Sequence, residues 1–347
     1  MLNAETLLNP YTFDRSKVVE LIEKYGKTEY VKNGFVVHAI GRSKEAIETI
    51  EKIGGRAFWG SLGDIDSMKT AAAGCNLLIH CAASVSTFGS LKSSLESNVN
   101  GTHNAMLAAK LAGVRRAIHV GTEAATIGFE GRPIKMLTED VPLPDKPFPG
   151  VYSISKNFAE KVALSYHSDD FIVVAVRPRL IWGNDDSVVL PAMVKAAQTG
   201  VLKWFDGGDY LTSTCHVFNV VEGIRLASLF GKGGKSYFLT DGDPVQFKRF
   251  VTQMLDAVDV QAPTASVPFL LLWGVAIVAE TVCSILQCTP IVDRQQLVLV
   301  GQEVTVSDSL ARLELGYKNI ISMDEGLAGL KLLHGKISKE QSNKLEL

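Results

Sequence analysis

What this chain of 347 residues lacks narrows its class first. Its five cysteines, Cys75, Cys81, Cys215, Cys283 and Cys288, are scattered and form no Cys-x-x-Cys pair. Neither a disulfide framework nor a zinc site is therefore expected, and a reducing compartment is the default. Basic charge is not in excess: 35 Lys+Arg against 37 Asp+Glu leave a formal net charge of −2. That balance gives no footprint for nucleic acid. The N-terminus has no basic stretch ahead of an apolar run, so a signal peptide is not expected. Gly-x-Ser-x-Gly and His-Glu-x-x-His are both missing, which removes the hydrolase and metalloprotease readings. Gly231-Lys232-Gly233-Gly234-Lys235-Ser236 has the flavour of a phosphate loop, but Leu229 stands where the first glycine is required; a turn is expected there. His216, among apolar neighbours, reads as a structural histidine. The apolar run from 267 is interrupted by Glu280 before it reaches membrane-spanning length. A helix lying on a membrane face or covering a substrate cleft is expected instead.

What is present is an alternation of apolar runs and helices. Residues 35–40, 56–60, 76–83, 116–120 and 171–178 read as buried strands, with helices at 44–53, 91–112 and around Tyr152 between them. This pattern predicts an α/β fold with a Rossmann-like, doubly wound parallel sheet, whose ligands bind at the carboxyl ends of the strands. Those ends carry Arg42, Ala82-Ala83, Thr122 and Arg177-Pro178-Arg179. Residues 1–33 read as a polar leader with one amphipathic helix over 16–25. The dinucleotide domain is expected over 34–185 plus about 215–242. A smaller mixed substrate region covers 186–214 and 243–335, and 336–347 is a polar tail.

Tyr152 and Lys156 are four residues apart, which places them on one face of a helix. An ammonium beside a phenol favours the phenolate, and a tyrosine so tuned trades a proton with a substrate hydroxyl or carbonyl. The plainer alternative is a solvated pair on an ordinary helix. Arg42 ends the strand where dinucleotide folds read the ribose 2′ position; an arginine there suits the 2′-phosphate of NADP.

Several motifs stand in a consistent order: His80-Cys81-Ala82-Ala83, Asn98-Val99-Asn100-Gly101-Thr102, Gly121-Thr122-Glu123-Ala124, Tyr152-x-x-x-Lys156, Arg177-Pro178-Arg179, His216 to Val220, and Leu315-Gly316-Tyr317. With these the chain, from about Gly34 to Leu330, resembles an extended short-chain dehydrogenase/reductase of the branch holding 3β-hydroxysteroid dehydrogenases and NAD-dependent epimerase/dehydratases. The resemblance implies a catalytic set of Tyr152 as general acid/base, Lys156, Thr122 and Asn98. The reacting oxygen would be met by Thr122 or by Glu123, which fills the second place of the family's hydroxyl pair. Asn98 reads as support for a proton relay or as a structural helix asparagine. Cofactor contacts are implied at Arg42, Ser61, Leu62, Ala82, Ala83, Lys156, Pro178 and Arg179. The cofactor expected is NADP, with NAD the alternative.

One departure is plain. The family's Gly-x-x-Gly-x-x-Gly turn is not found, and Lys17 to Lys24 contains no glycine and two glutamates. The first strand and its turn are expected to be missing, truncation is the favoured explanation, and dinucleotide binding is expected to be weak. The function expected is an NAD(P)-dependent oxidoreductase of a secondary alcohol and ketone on an apolar, sterol-like substrate. The alternatives are a nucleotide-sugar epimerase or dehydratase and an inactive homologue acting as a binding protein. The absence of Lys and Arg from 205–219 counts against a diphosphate substrate. Peripheral membrane contact through 267–287 and a homodimer are the associations it admits, in the cytoplasm or at the cytosolic face of the endoplasmic reticulum.

Overall fold

A computed structural model describes residues 17–20, 34–85, 90–184, 186, 188–286 and 292–345, with side chains left aside at 17–20, 284 and 336–345. Among these, seven strands form one parallel sheet in the order Ser236–Leu239, Ile172–Pro178, Arg116–Val120, Cys75–His80, Lys17–Glu20, Val37–Gly41 and Arg56–Trp59. The strands are rich in β-branched and small residues and are covered on both faces, as a parallel sheet requires. On one face Ile118, Val174 and Val176 pack with Val220, Ile224 and Ala227 of helix Val217–Phe230. On the other, Leu78, Ala117 and Val173 pack with Ala105, Ala108 and Ala109 of helix Gly101–Leu111 and with Ala163 of helix Val151–Ser165. The alanines keep those helices close to the sheet.

Two sequence expectations are corrected here. The first strand is not missing: Lys17–Glu20 pairs in parallel with both Val37–Gly41 and Cys75–His80, with Val19 opposite His38 and Leu78. These four residues are strand, not part of an amphipathic helix. The two valines suit a strand, and the place between the flanking strands supplies pairing on both sides that no local helix preference can match. The rest of that expected helix, and the place of the glycine turn, lie outside the described residues. Second, the helix expected over 91–112 is interrupted by a π-helical turn at Glu96–Asn100 between Leu91–Leu95 and Gly101–Leu111. The smaller mixed region expected over 186–214 and 243–335 supplies three strands of a small sheet, in the order Val245–Gln246, Leu211–Thr212, Val304–Val306 and Ile134–Leu137. Two of these strands have only two residues, too short for a period-2 signal. This sheet sits beside the core of Trp182, Trp204, Phe250 and Met254.

The turn expected at Gly231–Lys235 leads into the strand Ser236–Leu239. His216 caps helix Val217–Phe230, its Nδ1 accepting from the Phe218 amide at 3.2 Å. The apolar run forms helix Phe269–Leu286. Among the described residues no helix is long and apolar enough to cross a membrane.

Candidate active site

Tyr152 and Lys156 lie one turn apart at the start of helix Val151–Ser165, beside the carboxyl end of the strand Arg116–Val120. Immediately after that strand, Thr122 caps the short 3-10 turn Glu123–Thr126, its Oγ1 accepting from the Ala124 amide at 3.3 Å. Thr122 is one of the groups that act on the Tyr152 phenol. Thr122 Oγ1 donates to Glu123 Oε2 at 2.8 Å.

Glu123 fixes this arrangement from below. Its Oε1 accepts from Arg179 Nη1 at 3.0 Å, and both side chains are buried. The Arg179 guanidinium also donates to the Leu299 carbonyl at 2.6 Å and to Thr212 Oγ1 at 3.3 Å. Arg179 thus braces the wall of the site, while its buried Nε has no hydrogen-bond acceptor among the described residues. Of the two candidates for the hydroxyl position, Glu123 is paired with Arg179, and Thr122 presents a hydroxyl bonded to Glu123.

The electrostatics also differ from the sequence expectation. Tyr152 is pushed up to about 12, by burial first and the Glu123 carboxylate second, against the Thr122 hydrogen bond and Arg179. The Lys156 amine donates to the Val120 carbonyl at 2.9 Å. Burial brings Lys156 itself down to about 8, with Glu160 the larger of the opposing charges. Glu160, on the same helix, takes two hydrogen bonds from Arg177 and one from Ser236, tying the helix to two strands.

Asn98 sits in the π-helical turn and is 1% exposed. Its amide clamps the main chain just after Ala82-Ala83, accepting from the Ser84 amide at 2.6 Å and donating to the Ser84 carbonyl at 2.9 Å. It also donates to Ser155 Oγ at 2.9 Å. The side chain is thus engaged in holding the strand end and the Tyr152 helix, which is the structural reading of this asparagine.

The remaining candidates form a second group across the sheet. Arg42 is exposed directly after Val37–Gly41, ahead of the Ser43 cap of helix Lys44–Lys52. Ser61 and Leu62 follow the neighbouring strand; Leu62 packs in the same cluster as Ala82 and fills the space where a Cβ at Gly101 would stand. Pro178 closes the strand Ile172–Pro178 and is buried. Two observations fit a dinucleotide. Small residues end the strand Cys75–His80 where bulk would block entry, and Lys156, with three donors, shows one described acceptor, Val120.

Sequence reasoning missed Gln295. Its Oε1 accepts from the amides of Tyr152 at 3.0 Å and Ser153 at 3.2 Å, across more than 140 residues of chain. No local pattern announces such a contact. The wall above Tyr152 is apolar, built from Ala124, Ile127, Phe148, Val298, Leu299 and Trp273.

Comparison with known proteins agrees with this geometry. The chain is 39% identical to 4-hydroxy-2-methyl-3-oxo-4-farnesyl-3,4-dihydroquinoline-1-oxide ketoreductase of Stigmatella aurantiaca, over 87% of this chain and 90% of the relative. It is 28% identical to the decarboxylating sterol-4-alpha-carboxylate 3-dehydrogenase of Dictyostelium discoideum, over 88% of this chain and 95% of that one. Among solved structures, DesIV, a dTDP-glucose 4,6-dehydratase from Streptomyces venezuelae with NAD and TYD bound, superposes with a TM-score of 0.70 at 18% identity, covering 92% and 97% of the two chains. A short-chain dehydrogenase/reductase superfamily protein from Agrobacterium tumefaciens with bound NAD gives 0.69 at 19% identity, covering 94% and 99%. These two likenesses show the fold. The family profile for 3-beta hydroxysteroid dehydrogenase/isomerase matches residues 21–269, and the chain belongs to that family.

Proposed function

We propose that the chain is a nicotinamide-dependent oxidoreductase that reduces a ketone on an apolar, sterol-like or prenylated ring substrate. The observation that carries this reading is the Tyr152 phenol, one helix turn from Lys156 and beside the bonded series Thr122–Glu123–Arg179, held neutral by burial and Glu123. A neutral phenol is the form that donates a proton to a developing alkoxide. A bound reduced nicotinamide would supply the hydride. Tyr152 gives its proton to the substrate oxygen, and Thr122, anchored by Glu123, orients the phenol. Lys156 offers its unused N–H donors to ribose hydroxyls and keeps positive charge near the phenolate that remains. The apolar wall of Phe148, Trp273 and Leu299 excludes water from the transfer.

The substrate class follows from that wall and from what the two curated relatives are named for. A nucleotide-sugar substrate fits less well: Arg179, the cation beside the wall, is neutralised by Glu123. NADP is the preferred cofactor on the strength of exposed Arg42. Dinucleotide affinity is expected to be weak, since the sequence after the strand Lys17–Glu20 holds no Gly-x-x-Gly-x-x-Gly for a pyrophosphate. The outward side of helix Phe269–Leu286, with Leu270, Val278, Ile285 and Leu286 exposed, supports contact with an apolar surface such as a membrane face.

The test is loss of nicotinamide absorbance when the purified chain meets NADPH and a panel of cyclic ketones. Ketone-dependent oxidation is expected, greater for prenylated and sterol-like ketones than for sugars; oxidation equal with and without ketone rejects the reading.

A further inference from the structure

We propose that Gln295 is a positioning residue for the Tyr152 proton donor, holding the first turn of the catalytic helix from the far end of the chain. The inference rests on the oxidoreductase reading for its functional meaning and on geometry for its substance.

The first amides of any helix lack intrahelical acceptors and need outside partners. Helix Val151–Ser165 begins after Gly150, which has no side chain to supply one. Gln295 supplies it, a single carbonyl accepting from Tyr152 and Ser153 together. The approach is close enough that a Cβ at Gly150 would run into the Gln295 amide. Gln295 is 3% exposed, so water does not compete for those amides.

Gln295 is itself firmly placed. Asp293 Oδ1 caps its short helix, Arg294–Val300, by accepting from the Gln296 amide at 2.7 Å. Arg294 is bonded to Glu280 of the apolar helix through its amide at 2.6 Å and its Nε at 2.8 Å. Further along, Arg179 holds the Leu299 carbonyl and Tyr210 holds the Val300 carbonyl, each at 2.6 Å. The strap 293–300 thus touches the catalytic helix at Gln295 and the Glu123–Arg179 pair at Leu299. The first contact holds the Tyr152 main chain, and the second holds Arg179, which with Glu123 bears on the Tyr152 phenol.

Proton transfer requires the donor within hydrogen-bond reach, and a displacement near 1 Å costs on the order of a hundredfold in rate. A partial release of the first turn should therefore lower kcat about tenfold without changing the KM for cofactor. Gln295→Ala removes the acceptor; Gln295→Met removes it at nearly constant length, should the alanine chain fail to fold. Gln295→Glu keeps an acceptor and adds a negative charge one turn from the phenol.

Three readouts on the full chain decide the matter. Hydrogen exchange at the Tyr152 and Ser153 amides should accelerate about tenfold or more in Gln295→Ala and stay slow in Gln295→Glu. Ultraviolet titration of Tyr152, taken as the difference from Tyr152→Phe, should move to higher pH in Gln295→Glu, which a purely structural cap would not do. The turnover lost in Gln295→Ala should return in Gln295→Glu. Unchanged amide exchange in Gln295→Ala, or an unmoved Tyr152 titration in Gln295→Glu, overturns the proposal. A wild-type chain without turnover overturns the oxidoreductase reading instead, and leaves the exchange and titration results to decide this one.

Discussion

Thr122 and Glu123, neighbours in the chain, are joined side chain to side chain: Thr122 Oγ1 donates to Glu123 Oε2 at 2.8 Å, while the other carboxylate oxygen takes Arg179 Nη1 at 3.0 Å. This short chain of bonds decides the character of the site. It consumes the only O–H of Thr122 and sets a negative charge where it helps burial keep the Tyr152 phenol protonated.

Replacing Glu123 separates the electrostatic part of this arrangement from its packing. Glu123→Gln removes the charge and keeps most of the shape, so the Tyr152 titration should move to lower pH. Glu123→Ala leaves Arg179 buried and uncompensated, a change that costs roughly 3–5 kcal/mol. Chemical denaturation of both variants checks the ordering, with Glu123→Ala the less stable; equal stability would show that Arg179 finds another partner.

The strand Lys17–Glu20 is the element least legible in sequence. Its backbone pairs on both sides, and a proline removes a ladder hydrogen bond and is found on edge strands rather than central ones. Val19→Pro should lower stability and sharply reduce soluble yield. A variant that melts with the wild type would remove this strand from the sheet.

Buried histidines make stability depend on pH. His80, 2% exposed, is held down to about 3 by burial first and Lys156 second. Its Nε2 meets Thr102 Oγ1 at 2.9 Å, and Thr102 gives its own O–H to the Asn98 carbonyl at 2.6 Å, so the ring is neutral and donates from Nε2. The unfolded chain binds a proton below its ordinary value of 6.5, and the folded chain does not until about 3. Stability is therefore lost as pH falls through that window, by roughly 2 kcal/mol at pH 5 from this ring alone. His80→Gln keeps the donor and removes the titration. Denaturation at pH 7 and pH 5 should show a smaller difference in the variant than in the wild type; equal differences would place the acid sensitivity elsewhere.

The parallel sheet was readable because its buried runs are long and bounded by turns, and the Tyr152–Lys156 spacing carried the catalytic helix with it. Other features were not readable for definite physical reasons. Lys17–Glu20 becomes strand through pairing with residues 17 or more positions away. The direction of the Tyr152 shift depends on Glu123 and on burial, and spacing to Lys156 says nothing of either. Gln295 and the Arg179–Leu299 contact join segments more than 100 residues apart. The Asn98 clamp on the Ser84 main chain joins segments 14 residues apart, which no local pattern announces.

Arg42 offers a test of cofactor choice. Arg42→Asp replaces the cation at the end of the strand Val37–Gly41 with a carboxylate. NADPH affinity should fall at least tenfold more than NADH affinity, since only the former meets that charge through a 2′-phosphate. Calorimetric titration of both cofactors, each at high concentration because affinity is expected to be weak, reads the difference. Equal losses would show that Arg42 does not face the ribose.

The most direct measurement is the rate of ketone reduction by Tyr152→Phe against the wild type, at saturating NADPH and across pH. With Tyr152 as proton donor, the phenylalanine chain loses about a hundredfold or more of kcat while cofactor affinity holds, and the wild-type rate stays high until alkaline pH begins to ionise the phenol. A Tyr152→Phe chain that reduces ketone at the wild-type rate would contradict the assignment outright.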